Sequence, residues 1–269
     1  MLTTTNKNIT KEYIKGPFGK IHYWTVGKGE PLLLIHQSSS SCEEYARLVP
    51  FLADKFQLVS YDWPGHGNSD DPDFELGVPE YTESALAVLD YLKIKKCHVL
   101  GHHGGALLAM NIAYLQPERV YKLILSGTSG PKTEKESEKF KNSLPIKKHQ
   151  VIPKDGQWIL ETWKRYTHYL VHVEPEEILS PFLNNIMSKM RPYDAHFGVL
   201  CWNREPALNS LKMPVLLIQG SLDTFVSCQE KLLDNIPNAE RFVINNAGPF
   251  HYYGNPKESA EIINKFLSR

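Results

Sequence analysis

Apolar residues along this chain fall into short unbroken runs, separated by longer stretches in which they recur every three or four positions. The runs are Leu32 to Ile35, Phe56 to Tyr61, His98 to Leu100, Leu123 to Leu125, Val215 to Ile218 and Arg241 to Ile244. A strand that is apolar at successive positions has both faces buried, which is the condition of a parallel sheet covered on each side by helices. The helical spacing predicts helices over Cys42 to Asp54, Pro79 to Leu92, Gly105 to Leu115, Cys228 to Asn235 and Pro256 to Leu267, the last with Ala260, Ile263 and Leu267 on one stripe. Ahead of them, Tyr13 to Ile14 and Ile21 to Val26 flank Gly16-Pro17-Phe18-Gly19 and read as an antiparallel hairpin. The expected fold is α/β: a central sheet, mostly parallel and mixed at one edge, flanked by helices.

The strand signal lapses between Ser129 and Leu208. That segment opens on a charged stretch, Lys132 to Lys148, and continues with helical patterns holding Trp158, Trp163, Tyr166, Tyr169, Phe182, Tyr193, Phe197 and Trp202. A helical cap over residues 129–208, inserted into one core of residues 1–128 and 209–269, accounts for the lapse better than a second autonomous domain. The aromatic group is expected to roof the site, against the simpler expectation of packed core for any one member.

Length and composition narrow the function classes. The 269 residues suffice for a substantial core, and 30 basic against 30 acidic residues leave no net field for a polyanion, so no nucleic-acid partner is expected. The polar stretch Met1 to Lys20 lacks a secretion signal's apolar segment, and no apolar run approaches membrane-spanning length. A soluble, cytoplasmic protein with a small-molecule partner and no membrane partner is expected. The sequence is silent on oligomeric state. Cys42, Cys97, Cys201 and Cys228 are scattered without a paired spacing, as reduced thiols are.

In an open parallel sheet, ligands meet the residues just past the carboxyl ends of the strands. Those positions hold His36-Gln37-Ser38, Asp62-Trp63, His102-His103, Asp223 and His251. The segment Gly101-His102-His103-Gly104-Gly105 joins a buried strand to an apolar helix, and its glycines provide the small neighbours that a sharp strand-to-helix turn needs. Histidine is among the residues that tolerate positive φ, so His103 suits the apex of that turn.

These motifs, in this order, resemble the α/β-hydrolase fold superfamily across nearly the whole chain. Gly101 to Gly105 is similar to that family's nucleophile elbow, with His103 where the family carries serine. Asp62-Trp63-Pro64-Gly65-His66-Gly67-Asn68-Ser69 resembles its Asp-x-x-Gly-x-Gly-x-Ser loop, Gly220-Ser221-Leu222-Asp223 its acid loop, and His251 its late histidine. The resemblance implies a catalytic set of His103, Asp223 and His251, in which Asp223 accepts a hydrogen bond from His251 and fixes its tautomer. It implies oxyanion or substrate contacts from His36, Gln37, Ser38, Gly104, Trp63 and His102, with backbone N–H donors at Gln37 or Ser38 and at Gly104. Gln37 stands where the family has glycine, and Phe250 departs from it in the same way beside His251.

Imidazole at the elbow admits several roles: nucleophile, general base or acid, silent remnant of a binding site, or metal ligand with His36, His102 and His251. The metal role is disfavoured because adjacent histidines project in different directions, so no metal and no cofactor are expected. One of Ser38 to Ser41 as a displaced nucleophile is a lesser alternative, and Asp62 reads as a structural tie for its own turn. The function expected is hydrolysis of an ester, lactone or other activated carbonyl of a small apolar molecule. The alternatives are a silent small-molecule binding or receptor-like protein, and an acid–base lyase.

Overall fold

A computed structural model describes residues 9–143, 153–193 and 195–269. Part of the charged stretch Lys132 to Lys148, and with it part of the expected cap, lies outside the described residues, as does the start of the polar segment Met1 to Lys20.

Eight strands form one sheet: β1 (Thr10–Gly16), β2 (Gly19–Val26), β3 (Glu30–Ile35), β4 (Phe56–Tyr61), β5 (Cys97–His102), β6 (Val120–Ser126), β7 (Val215–Gly220) and β8 (Ala239–Ile244). Their order is β1-β2-β4-β3-β5-β6-β7-β8, with β1, β2 and β4 antiparallel in turn and every later pairing parallel. All six expected strands and the expected hairpin are present, but β8 is an edge strand with Arg241 and Phe242 exposed and only Ile244 buried, against the expectation of burial.

The sheet separates two cores. Leu33, Ile35, Val59, Val99, Leu123, Leu125, Val215 and Leu217 face one cluster, while Leu32, Leu34, Leu58, Leu100, Ile124, Leu216 and Ile218 face the other. Alternation of side chains along each strand produces this division, and it explains why β3, β5 and β7 read as unbroken apolar runs. The first face is covered by α2 (Val78–Tyr91) and α3 (Gly104–Leu115), where every residue from Gly105 to Ala113 is buried. Across the sheet lie α1 (Val49–Leu52) and α11 (Pro256–Leu267), whose Ile262, Ile263, Phe266 and Leu267 enter the second cluster.

One expected helix divides. Cys42 to Asp54 forms a 3-10 turn over Cys42–Leu48 and then the short α1, because Pro50 has no N–H for a continuous α ladder. Its start is fixed by two acceptors: Ser41 Oγ takes the Glu43 N–H, and Asp62 Oδ1 takes the Cys42 N–H at 2.7 Å.

Between β6 and β7 run α4 (Glu134–Ser143), α5 (Gln157–Tyr169), α6 (Pro175–Lys189), α7 (Ala195–Leu200) and α8 (Glu205–Leu208). Helices α5 and α6 make a third apolar cluster with Phe250 and Tyr253, in which Tyr166 stacks on Phe250 at 4.2 Å. The core closes with α9 (Gln229–Asn235) and α10 (His251–Gly254). Among the described residues no helix is long and apolar enough to cross a membrane.

Strand order reverses between β3 and β5: the chain leaves β3 for β4 on one side, then returns to β5 on the other. Loops departing from such a switch point diverge and leave a crevice beyond the strand ends.

Candidate active site

At that crevice the chain turns from β5 into α3 through His103, at φ 48° and ψ −111°. The turn is tight enough that a Cβ on Gly101 would stand 2.1 Å from the Gly105 carbonyl oxygen. The His103 N–H donates to Ser126 O at 2.8 Å, and its carbonyl accepts from Ala106 N at 3.0 Å, so both neighbouring elements anchor the apex. Such a backbone costs a non-glycine residue about 1–3 kcal/mol, which these bonds help to offset.

The imidazole of His103 reaches the acid directly. Its Nε2 lies 2.8 Å from Asp223 Oδ2, and the other carboxylate oxygen accepts the Phe225 N–H at 2.8 Å. Burial alone would push the Asp223 carboxyl up, but the bond and charge of His103, with the Phe225 N–H, hold it down at about 2. An ionised Asp223 accepts hydrogen bonds only, so His103 carries its proton on Nε2 and its free lone pair on Nδ1. Room for the ring comes from Gly127, at φ +57°, where a Cβ would stand 2.3 Å from His103 Cδ2.

The expected Asp223–His251 bond is not formed. His251 is 1% exposed, with Nε2 3.0 Å from Ser126 Oγ and Nδ1 3.0 Å from Ser259 Oγ, so both ring nitrogens are occupied by serines. Burial drives its pKa well below the usual histidine range and keeps it neutral. The cause is reach. A serine extends one atom past Cβ and needs an intervening histidine to meet the acid, whereas an imidazole on the same turn spans that distance alone.

A second acid–imidazole pair lies beneath the first. His102 Nδ1 bonds Glu44 Oε1, each side chain 1% exposed, and Glu44 Oε2 accepts the Gln37 N–H at 3.0 Å. Burial opposes the Glu44 charge, but the His102 bond and the Gln37 N–H outweigh it and lower its pKa; burial lowers that of His102. Ionised Glu44 and neutral His102 satisfy both directions. Because Gln37 spends its N–H on Glu44, it is withdrawn as an oxyanion donor; the N–H groups of Ser38 and Gly104 have no acceptor among the described residues. Sequence reasoning missed Glu44, which stands beside Glu43 with nothing in residue type to separate them.

Other expected contacts are supports. His36 is fully buried, donates from Nδ1 to Gln37 O at 2.7 Å, accepts the Trp63 N–H on Nε2 at 3.2 Å and stacks on the Trp63 ring. Asp62 ties its turn as expected, accepting from Cys42 N, Asn68 N and His22 Nδ1.

The cavity above the pair holds about 300 Å³ and is lined by Gln37, Ser38, Ser39, His103, Gly104 and Leu107 at its base, and by Arg165, Tyr169, Asn185, Lys189, Phe225 and Phe250 among others above. His36, Trp63, His102 and His251 are buried and do not line it. Of the aromatic residues expected to roof the site, Tyr169 does so; Tyr166 and Phe182 belong to the third core cluster. Among the described residues, two groups converge closely enough to hold a metal: His22, Cys42 and Asp62, and His102, His103 and Asp223.

Known proteins share this frame. Residues 30–256 match the family model of the alpha/beta hydrolase fold. A Pseudomonas putida 2-hydroxy-6-oxononadienedioate/2-hydroxy-6-oxononatrienedioate hydrolase is 27% identical over 92% of this chain and 90% of its own length. A Burkholderia vietnamiensis enzyme of the same name is 28% identical over 93% and 91%. Among solved structures, a bromoperoxidase from Bacillus anthracis superposes with TM-score 0.80 at 20% identity, covering 97% of this chain and all of that one. A 2-hydroxy-6-oxo-6-phenylhexa-2,4-dienoate hydrolase from Rhodococcus gives 0.76 at 16% identity, over 98% of this chain and all of its own. With the sheet order, the strand–turn–helix at His103 and a family match running from β3 into α11, the chain belongs to the alpha/beta hydrolase fold family.

Proposed function

We propose that this protein is a hydrolase of small activated carbonyl compounds, esters or related ketones, whose reactive element is the His103–Asp223 pair. One observation carries the reading: His103 lines the cavity while a buried carboxylate holds its Nε2, so the lone pair of Nδ1 is the base on offer. In the reaction Nδ1 takes a proton from water as the water oxygen bonds to the carbonyl carbon. The carbonyl oxygen becomes an oxyanion facing the N–H groups of Ser38 and Gly104. Asp223 stabilises the imidazolium, which returns the proton to the leaving carbon or oxygen as its bond to the carbonyl carbon breaks. His251 has no proton-transfer role in this scheme, since both its nitrogens are committed to serines.

The lining also points to a substrate carrying an acidic group. Arg165, which has no acidic partner among the described residues, borders the cavity with Lys189. This departs from the small, uncharged apolar substrate expected from sequence, and the dioate names of the curated relatives agree with it. Residues 129–208, which supply Arg165, Tyr169 and Lys189, are proposed as the cap that sets this preference.

The test compares the parent with His103→Ala on p-nitrophenyl esters and on a chromogenic dienoic keto acid. Loss of a general base is expected to cost about 10²–10⁴ in kcat. Equal turnover by the two proteins refutes the assignment, and ligand retention without turnover by the parent replaces it with a binding protein.

A further inference from the structure

The buried Glu44–His102 pair has features that the proposed reaction does not use. Its bond fixes His102 as the Nδ1–H tautomer and leaves the lone pair on Nε2. Among the described residues that Nε2 has no hydrogen-bond partner, although the residue is 1% exposed. An unpaired polar atom at that depth costs about 1–3 kcal/mol. His102 nevertheless belongs to a convergent group: one ligand atom from each of His102, His103 and Asp223 lies within 4.8 Å of the other two.

We propose that His102 Nε2, His103 Nε2 and the Asp223 carboxylate form a binding site for a zinc-class divalent cation, with Glu44 as the outer carboxylate that orients His102. Three independent features support it. A ligating imidazole ordinarily donates its other N–H to a carboxylate, as His102 does to Glu44. Two imidazole nitrogens and one carboxylate suit a borderline ion such as Zn²⁺, and exclude the all-oxygen sets of Ca²⁺ and Mg²⁺. Glu44 and Asp223 put two negative charges at depth, and a dication balances them. His103 borders the cavity, so the ion's open coordination position faces the space where a substrate would sit.

Binding also changes the base. Zinc takes the Nε2 lone pair of His103 once its proton has left, and a neutral ring then carries that proton on Nδ1. The nitrogen that accepts a proton from water in the proposed reaction is thereby capped. The zinc-bound and base-active forms are exclusive states of one centre, a consequence that rests on His103 being the general base. The site itself does not depend on that role. The other convergent group differs: His22 Nδ1 is already bonded to Asp62, whose oxygens also hold two backbone N–H groups.

The experiment strips the full chain with a chelator, adds ZnCl₂ or CoCl₂, removes excess by gel filtration, and measures bound metal together with the visible spectrum of the cobalt form. Expected are one equivalent in the parent, loss of binding in His102→Gln, a 10–100-fold (order-of-magnitude) weakening in Glu44→Gln, and no change in Cys42→Ser. Circular dichroism identifies any variant that fails to fold; Glu44→Gln, which keeps all three ligands, then carries the comparison. The proposal is overturned if the folded parent retains no stoichiometric metal, if Glu44→Gln binds as tightly as the parent, or if Cys42→Ser rather than His102→Gln abolishes binding. Turnover of the stripped samples separates the two readings. Turnover without zinc binding removes the metal site and keeps the reaction, whereas zinc binding through His102 without turnover does the reverse.

Discussion

Gly127 is the position at which the placement of His103 is most exposed to a single added carbon. An alanine there meets two separate costs. Its backbone sits at φ +57°, where an L side chain costs about 1–2 kcal/mol relative to glycine. Its Cβ would also stand 2.3 Å from His103 Cδ2, 2.5 Å from Nε2 and 3.1 Å from Asp223 Oδ2. The two ring contacts are shorter than real Cβ contacts, so the ring must leave the carboxylate, forfeiting a charge-assisted bond worth about 1.5–3 kcal/mol. The two terms give about 2.5–5 kcal/mol, a shift of roughly 5–20 °C in Tm for a chain of this size. Gly156 supplies the control. It has φ +67° with nothing within 4 Å of an added Cβ, so Gly156→Ala bears the backbone term alone. Thermal unfolding of both variants, with ester turnover on the same samples, reads the difference. Gly127→Ala is expected to fall well below Gly156→Ala in Tm and to lose turnover. If the two unfold together and Gly127→Ala keeps its rate, His103 is not held against Asp223 as described.

The remaining predictions concern charge and proton balance. Holding the Asp223 carboxyl at about 2 rather than 3.8 is worth about 2.5 kcal/mol of stability. That contribution is present above pH 4 and is lost as pH falls toward 2, so denaturant unfolding across this range should steepen in the parent relative to Asp223→Asn; superimposable profiles would refute the bond. Burial keeps His36, His102 and His251 neutral in the fold, while the unfolded chain protonates each near 6.5. Stability is therefore full above pH 6.5 and falls below it, by at most about 1.4 kcal/mol per pH unit for each ring, until that ring's lowered pKa is reached. His251→Gln should flatten that slope and destabilise the fold at neutral pH while leaving kcat within about tenfold, because the base that His251 would have been is His103; a loss matching that of His103→Ala would restore His251 to the reaction. Arg165→Ala should raise KM for a carboxylate-bearing substrate about tenfold, near 1.4 kcal/mol, and leave KM for a neutral ester unchanged; equal effects on both would remove the cation from recognition.

How much of this was legible in the sequence depends on what kind of signal each feature leaves. Strands β3, β5 and β7 were plain because burial on both faces writes itself as consecutive apolar residues. The segment from Cys42 was less so: its apolar spacing is helical, yet Pro50 and the Asp62 carboxylate, twelve positions beyond it, decide how it winds. Glu44 left no trace, because adjacent glutamates look alike until the chain folds one inward onto His102. The expected divergence of His102 and His103 fails for a related reason. Alternation applies within a strand, but the backbone leaves the strand at His103 with positive φ, and the rings come edge to face at 4.4 Å. Residue order located Asp223 and His251 but paired them with each other, whereas Asp223 holds His103, since pairing depends on side-chain reach.

That reach has a consequence for how such a centre is stabilised. A relay of nucleophile, histidine and acid places its reactive atoms on three separate loops, and each loop must hold its register for the others to work. With His103 as the base and water as the nucleophile, the ring at the apex of the β5–α3 turn takes the histidine's part and meets the acid directly. Its position is set by backbone bonds to Ser126 and Ala106, and its tautomer by a carboxylate already anchored through the Phe225 N–H. The loop bearing His251 is then free of the chemistry. It packs accordingly, with Phe250 stacked on Tyr166 and the imidazole between two serines. What the centre lacks is a nucleophile of its own: water attacks, and His103 accepts the water proton and returns it to the leaving group. Any ligand that holds its Nε2, a metal ion included, therefore acts on the whole reaction at once.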